Sequence, residues 1–369
     1  MQHNVLDNIT LVIPMTNVNI GANSPFLAPH RIQDTQKNQS LLLIDKPSAK
    51  LLKSGHYEPK ISISRQPRIG GMSEVLKIEM NAPKILFGNN ICECSDEQLP
   101  TLVKLLQQFL ISKDIQVSIP DLYNAQVVSL HIGKNIILPT GFNVAFILNE
   151  LAKADMKRYW DFSQVNYINN GQAMKFHSTH FELTLYDKLK EVQQKSPHRC
   201  IEEDGCYQNI PLSLSIDSTQ LLRFEVRLCN SKQIQRIFKV LDILADGLTL
   251  KNIFNSAITQ KINTYFWEKL VEAYACLRLN GTRPDTILRL LTSRYKGLKA
   301  LQLFGIVQAL QTFSIRELRM LFKDCPTFPR LLKEIKTIPI EGSMMDQVFQ
   351  SIGKQIMENI IIKKEKIKW

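Results

Sequence analysis

Apolar and polar residues keep two distinct rhythms along the chain, and the shorter one is strongest between residues 180 and 228. Phe181, Leu183 and Leu185 alternate with His180, Glu182, Thr184 and Tyr186, a period of two that predicts a strand with one buried and one polar face. Leu222, Phe224, Val226 and Leu228 repeat the design and leave Arg223, Glu225 and Arg227 side by side on the other face. The same alternation sets Leu76, Ile78 and Met80 against Lys77 and Glu79, and Val128, Leu130 and Ile132 against Ser129 and His131. Shorter strands are predicted over 9–14, 41–44 and 57–64, with a turn at 65–71. Residues 160–168 and 172–177 read as a strand pair, because Asn169-Asn170-Gly171 between them is a tight-turn sequence.

The longer rhythm, that of a helix, occupies 95–112 through Leu99, Leu102, Val103, Leu106 and Leu110, and 140–154 through Val144, Ile147, Leu148 and Leu151. These two helices are expected to cover Val128, Leu130, Ile132, Phe181, Leu183, Leu185, Phe224 and Val226. From residue 231 onward the chain reads as helices only, broken at Gly281-Thr282-Arg283-Pro284, at Gly297 and at Pro326 and Pro329. The order predicts an α+β domain over 1–232 and a helical C-terminal domain over 233–369, serving DNA binding or oligomerisation.

Composition narrows the class. With 44% hydrophobic and 22% charged residues, the 369-residue chain matches soluble globular proteins, and its formal charge of +12 favours a polyanionic partner. Seven cysteines at irregular positions suggest reduced thiols in a cytoplasmic protein. Neither Cys92 with Cys94 nor His198 with Cys200 and Cys206 has the paired spacing of a closed zinc site. No signal peptide and no membrane span are expected.

If the four long strands are neighbours, their polar faces form a floor with carboxylates, an imidazole and guanidinium groups, which suits metal-assisted phosphoryl transfer. An ion-paired, solvated sheet face is the alternative for the same residues. In the tail, Ser314 and Glu317 form a capping box that opens a helix with Arg316, Arg319 and Lys323, just after a helix over 299–311. That pair reads either as a helix-turn-helix binding DNA or as plain packing.

Tyr167, Gly171, Tyr186-Asp187-Lys188, Glu191 and Leu222-Arg223-Phe224-Glu225 together make a pattern. With support from 76–90 and 127–136, it resembles the replication initiators of filamentous phages, the gene II/X family, and is similar to rolling-circle plasmid initiators. The resemblance covers roughly residues 8–228. It implies a relaxase-like antiparallel sheet flanked by helices, and an endonuclease that nicks one strand of origin DNA. Tyr167 falls at the nucleophile and would leave a 5′-phosphotyrosine and a free 3′-hydroxyl; Tyr186 is second in line. The implied cofactor is Mg²⁺ or Mn²⁺, with Glu79, Glu182, Glu225 and His131 as ligands. Lys188 and Arg223 would hold the scissile phosphate, and Arg227, Arg316 and Arg319 would contact DNA. The implied partners are double- and single-stranded origin DNA, host helicase and polymerase, and a second copy of the chain. The chain departs from many rolling-circle nucleases in having no His-apolar-His pair, and His131 stands where an acid is expected. Two other readings remain open here: a non-catalytic nucleic-acid-binding protein, and a basic structural or interaction protein.

Overall fold

The computed structural model describes the chain except residues 1, 2, 5, 28–40, 46, 49–56, 69, 70, 155, 157–161, 169–171, 195–219, 244, 245, 339–343 and 359–369. Among the described residues, nine antiparallel strands form the main sheet. They are β1 (Leu6–Pro14), β2 (Leu41–Asp45), β3 (Lys60–Arg68), β4 (Gly71–Asn81), β5 (Gln126–Ile137), β6 (Phe162–Ile168), β7 (Ala173–Ser178), β8 (Glu182–Asp187) and β9 (Leu221–Leu228). Their spatial order is β6-β7-β8-β9-β5-β1-β4-β3-β2. The first strand of the sheet therefore lies near its centre, between β5 and β4. The predicted β6–β7 hairpin forms, with Phe162 to Ile168 pairing back to Ser178 to Ala173. The turn expected at 65–71 is shorter, since pairing continues out to Arg68 and Gly71.

Alternation works as the chain pattern implies. Leu183, Leu185, Phe224, Val226, Leu130 and Ile132 are buried on one face. Arg223 faces Asn135 and Tyr186 across the strands on the other. Val128 is the exception, because the β1–β5 register slips between Thr10 and Leu11, pairing Thr10 with Ser129 and Leu11 with Val127. Val127 is buried in its stead, at 1% exposure. A second slip lies between Leu6, opposite Ile132, and Ile9, opposite Leu130, so Asp7 and Asn8 together oppose His131. Such a bulge re-aims side chains, and here both neighbours reach the polar face, where Asp7 bonds Arg223 and Asn8 bonds His131.

Helices cover the apolar face, and more of them than expected. Asn81 ends β4 and caps α1 (Ala82–Phe87), accepting from the Lys84 N–H, and Gly88 closes that helix at φ 71°. α2 (Leu99–Ser112) starts after a short turn with a Ser95–Gln98 capping box and packs on α1, while α3 (Val144–Ala152) packs on β7 and β8. After α4 (Lys188–Gln194), the tail contributes α5 (Ser231–Val240) and α6 (Ser256–Tyr274). Trp267 of α6 meets Phe224 edge-on at 6.1 Å, and Phe266 meets Phe181 at 4.6 Å. These tail residues belong to one continuous apolar core with the sheet. Beyond them come α7 (Pro284–Arg294), α8 (Leu298–Thr312), α9 (Ile315–Leu321), α10 (Phe328–Lys336) and α11 (Met344–Glu358), divided where the glycines and prolines predict.

Polar bonds join the tail to the sheet. The Glu150 carboxylate of α3 accepts from Tyr274 and Asn280, each at 3.1 Å. Beyond the end of β1, the Gln355 amide of α11 accepts from the Ile137 N–H at 2.9 Å and donates to its carbonyl at 2.8 Å, standing in for a missing strand. Among the described residues no helix is long and apolar enough to cross a membrane.

Candidate active site

The polar faces of β8, β9 and β5, with the bulge of β1, bring together most of the residues singled out from the sequence. Arg223 is the anchor. Its guanidinium donates to Asp7 Oδ2 at 2.7 Å and to Asn135 Oδ1 at 2.9 Å, and all three side chains are buried. To reach Asp7 on β1 it must cross β5, and it does so over Gly133, where any Cβ would sit 2.2 Å from a guanidinium nitrogen. Asp7 is held in turn by Asn81, and Asn135 by the Ile91 carbonyl. Burial works against charge on Arg223, but Asp7, Tyr186, Glu225 and Glu93 together outweigh it and raise its pKa further. Among the described residues the buried Arg223 Nε–H has no acceptor.

Glu225 is the second centre. Tyr186 donates to its Oε2 at 3.1 Å, Arg227 donates to Oε1 at 2.7 Å, and His131 Nδ1 lies 3.5 Å from Oε1. Burial alone would raise this carboxyl; the His131 hydrogen bond and the charges of Arg227 and Arg223 instead hold it well below the ordinary range. For His131, burial disfavours the imidazolium, yet hydrogen bonds with Cys229 and Glu225 and the Glu225 charge raise it to about 9. The Tyr186 phenol is pushed well above its ordinary value by burial and by the charges of Glu225 and Glu191. Burial pulls Lys188 down, against the attraction of Glu191 at 2.7 Å and with the repulsion of Arg223. Its ammonium lies 5.7 Å from the centre of the Tyr186 ring.

Glu182 lies at the rim, bonded by Arg227 at 2.9 Å, Lys175 at 2.9 Å and His177 at 3.1 Å. Glu79 is not part of this group. It is three strands away from Glu225, about 14 Å by strand spacing, and is held by Lys60 at 3.0 Å and Lys77 at 2.7 Å. The expectation that Glu79 and Glu225 share one ion therefore does not match the strand order. Tyr167 pairs with Met174 in the row that continues through Leu185 and Phe224. Those three are buried on the helix-covered side, and the Tyr167 side chain lies outside the described residues. Arg316 and Arg319 sit on α9, away from the floor.

Asp7, Gly133 and Asn135 join the site without having been singled out from the sequence. An acid at the head of an apolar strand, and Gly and Asn within one, are the signals that could have marked them. Among the described residues no three His, Cys, Asp or Glu side chains gather to hold a metal. Glu225 and His131 alone give a carboxylate oxygen and an imidazole nitrogen, and two such donors suit a Mg²⁺ or Mn²⁺ ion completed by phosphate oxygens and water. Such an ion would have to displace the proton of His131.

Fold and site define a class: an α+β protein with helices on one face of an antiparallel sheet and a compact, mixed-charge site on the other. A family model for the N-terminal part of the phage replication-associated protein, the gene II protein, matches residues 32–247, and the chain belongs to that family. Its role is accordingly that of a rolling-circle replication initiator, with origin DNA as partner. The match leaves out β1, and with it Asp7. No match was found among curated proteins or among solved structures.

Proposed function

We propose that the protein starts replication by nicking one strand of origin DNA through tyrosine attack, and that Tyr186 is the attacking residue. The observation that carries this reading is the Tyr186–Glu225 hydrogen bond, with the Lys188 ammonium 5.7 Å from the Tyr186 ring and Arg223 opposite Tyr186 on the neighbouring strand. The phenol oxygen attacks the scissile phosphorus and the bond from phosphorus to the 3′ oxygen breaks. This leaves a 5′-phosphotyrosine, and the departing oxygen takes up a proton to become the 3′-hydroxyl that primes synthesis. Glu225 takes the phenol proton along the existing bond only as the new oxygen–phosphorus bond forms, because its own carboxyl is held strongly acidic and the free phenol holds its proton tightly. The unpartnered Arg223 Nε–H and the Lys188 ammonium offset charge on the phosphate in the transition state. A divalent ion held by Glu225 and His131 would add further charge neutralisation when bound. Arg227, 28% exposed at the rim, contacts the neighbouring backbone.

Tyr167 is the residue the resemblance favours, and substitution separates the two. Purified protein, Mn²⁺ and a supercoil bearing the origin are expected to give a nick with protein attached to the 5′ end. Tyr186→Phe should lose the adduct, and Tyr167→Phe should keep it. The reverse result moves the nucleophile to Tyr167. A nick without any covalent adduct removes tyrosine attack altogether, and DNA binding without a nick leaves a non-catalytic initiator.

A further inference from the structure

The tail helices carry a surface that the sheet site does not use. Between residues 281 and 338 there are eleven Lys and Arg against four Asp and Glu, more than half of the chain's net charge of +12. Arg283 is paired with Asp285 and Lys299 with Glu334, whereas Arg316 and Lys323 are exposed and have no ion pair among the described residues. The same stretch concentrates apolar exposure. Of the eleven large hydrophobic residues that are exposed among the described residues, six lie between Leu298 and Phe322, which a merely solvated charged face would not carry.

On α9 the two features converge. Ser314 caps the helix, and Ile315 and Leu318 are buried, which turns the opposite side outward. Arg316 and Met320 are neighbours at i and i+4, with Lys323 three residues further. Met320 is 60% and Leu321 66% exposed. A second copy would bring like charge against like charge here, so a polyanion fits better. Lys and Arg flanking protruding Met and Leu side chains are the means by which proteins grip a duplex and wedge between its base steps. The surface is also fixed relative to the sheet. The Ile315 N–H donates to the Lys153 carbonyl at 2.9 Å and Lys153 Nζ donates to the Gln311 carbonyl at 2.8 Å, which ties α8 and α9 to α3.

We propose that α9 and its C-terminal turn form a duplex-DNA-binding surface, in which Arg316 and Lys323 hold phosphates and Met320 and Leu321 unstack a base step. The proposal rests on the protein's role at origin DNA and supplies that role with a device for distorting the duplex at a surface separate from the sheet site.

Full-length protein is titrated into a fluorescein-labelled duplex of about 30 base pairs carrying a central 2-aminopurine. EDTA is present so that binding is read without cleavage, and a failure of the nicking reading leaves the result untouched. Between about 50 and 200 mM salt, Arg316→Ala with Lys323→Ala should lower the slope of log affinity against log salt by about two, one for each lost phosphate contact. Met320→Ser with Leu321→Ser should keep that slope and lose the rise in 2-aminopurine fluorescence that unstacking gives. An unchanged slope in the charge variant overturns the surface. No fluorescence rise with wild type overturns the wedge. If the Met320 and Leu321 variant instead dissolves a dimer in sedimentation and leaves the DNA signals alone, the surface joins two copies and the proposal falls.

Discussion

The His131–Glu225 pair is where charge and burial oppose each other most directly. A histidine raised to about 9 in the folded chain contributes stability that is whole below its ordinary value near 6.5 and is lost as pH climbs through 9. Glu225 behaves in the opposite sense: its contribution is present above the ordinary carboxylate range and is lost as pH falls through its depressed value. The wild-type protein should therefore lose on the order of 3 kcal/mol between about pH 6.5 and about pH 9, read as a falling melting temperature. His131→Gln should flatten that fall, because the amide keeps hydrogen bonds but has no proton to lose in this range. Equal slopes in both proteins would mean that the imidazole carries no charge in the folded state.

Arg223 lashes three elements together, running from β9 across Gly133 of β5 to Asp7 of β1. Gly133→Ala would push the guanidinium off its path and leave Asp7 without its cation. Breaking a buried pair in this way costs about 3–5 kcal/mol. Chemical denaturation should show that loss, with cleavage falling in step, whereas Gly305→Ala within α8, where an added Cβ meets nothing within 4 Å, should instead stabilise by up to about 1 kcal/mol. Much of this element-level design is legible in the chain. The period of two puts Arg223, Glu225 and Arg227 on one face without any knowledge of neighbours, and the capping box at Ser314 and the breaks at Gly297 and Pro284 form as expected. What alternation cannot give is which strand lies beside which. That is why Glu79, polar-faced like the others, lands among lysines three strands from Glu225. Nor does a pattern reveal a bulge, since one extra residue on one strand changes partners without changing periodicity. Val127 replaces Val128 inside, and Asp7 joins the site from a strand expected to begin at Ile9.

At the scale of the whole molecule, the tail is a wall of the core. Trp267, Phe266 and Phe349 pack in the cluster that Phe224 and Phe181 begin, so sheet and tail should unfold together. Calorimetry of the full chain is expected to show one transition, and a chain ended at residue 232 should fail to give a soluble monomer, having lost the cover over β8 and β9. A shortened chain with its own cooperative transition would show instead that the tail is an independent unit. The central position of β1 has a further consequence, which concerns time. Asp7 waits for Arg223, 216 residues later in the chain, and β1 can be paired on both sides only once β4 and β5 exist. Contacts so far apart in sequence form late, and domains are built as the ribosome releases them. A chain that has not yet reached β9 thus holds a sheet fragment in which Asp7 lacks its guanidinium partner. The site can be assembled only after nearly two thirds of the protein has been made, so until then the chain carries Asp7 and its strand without the site they complete.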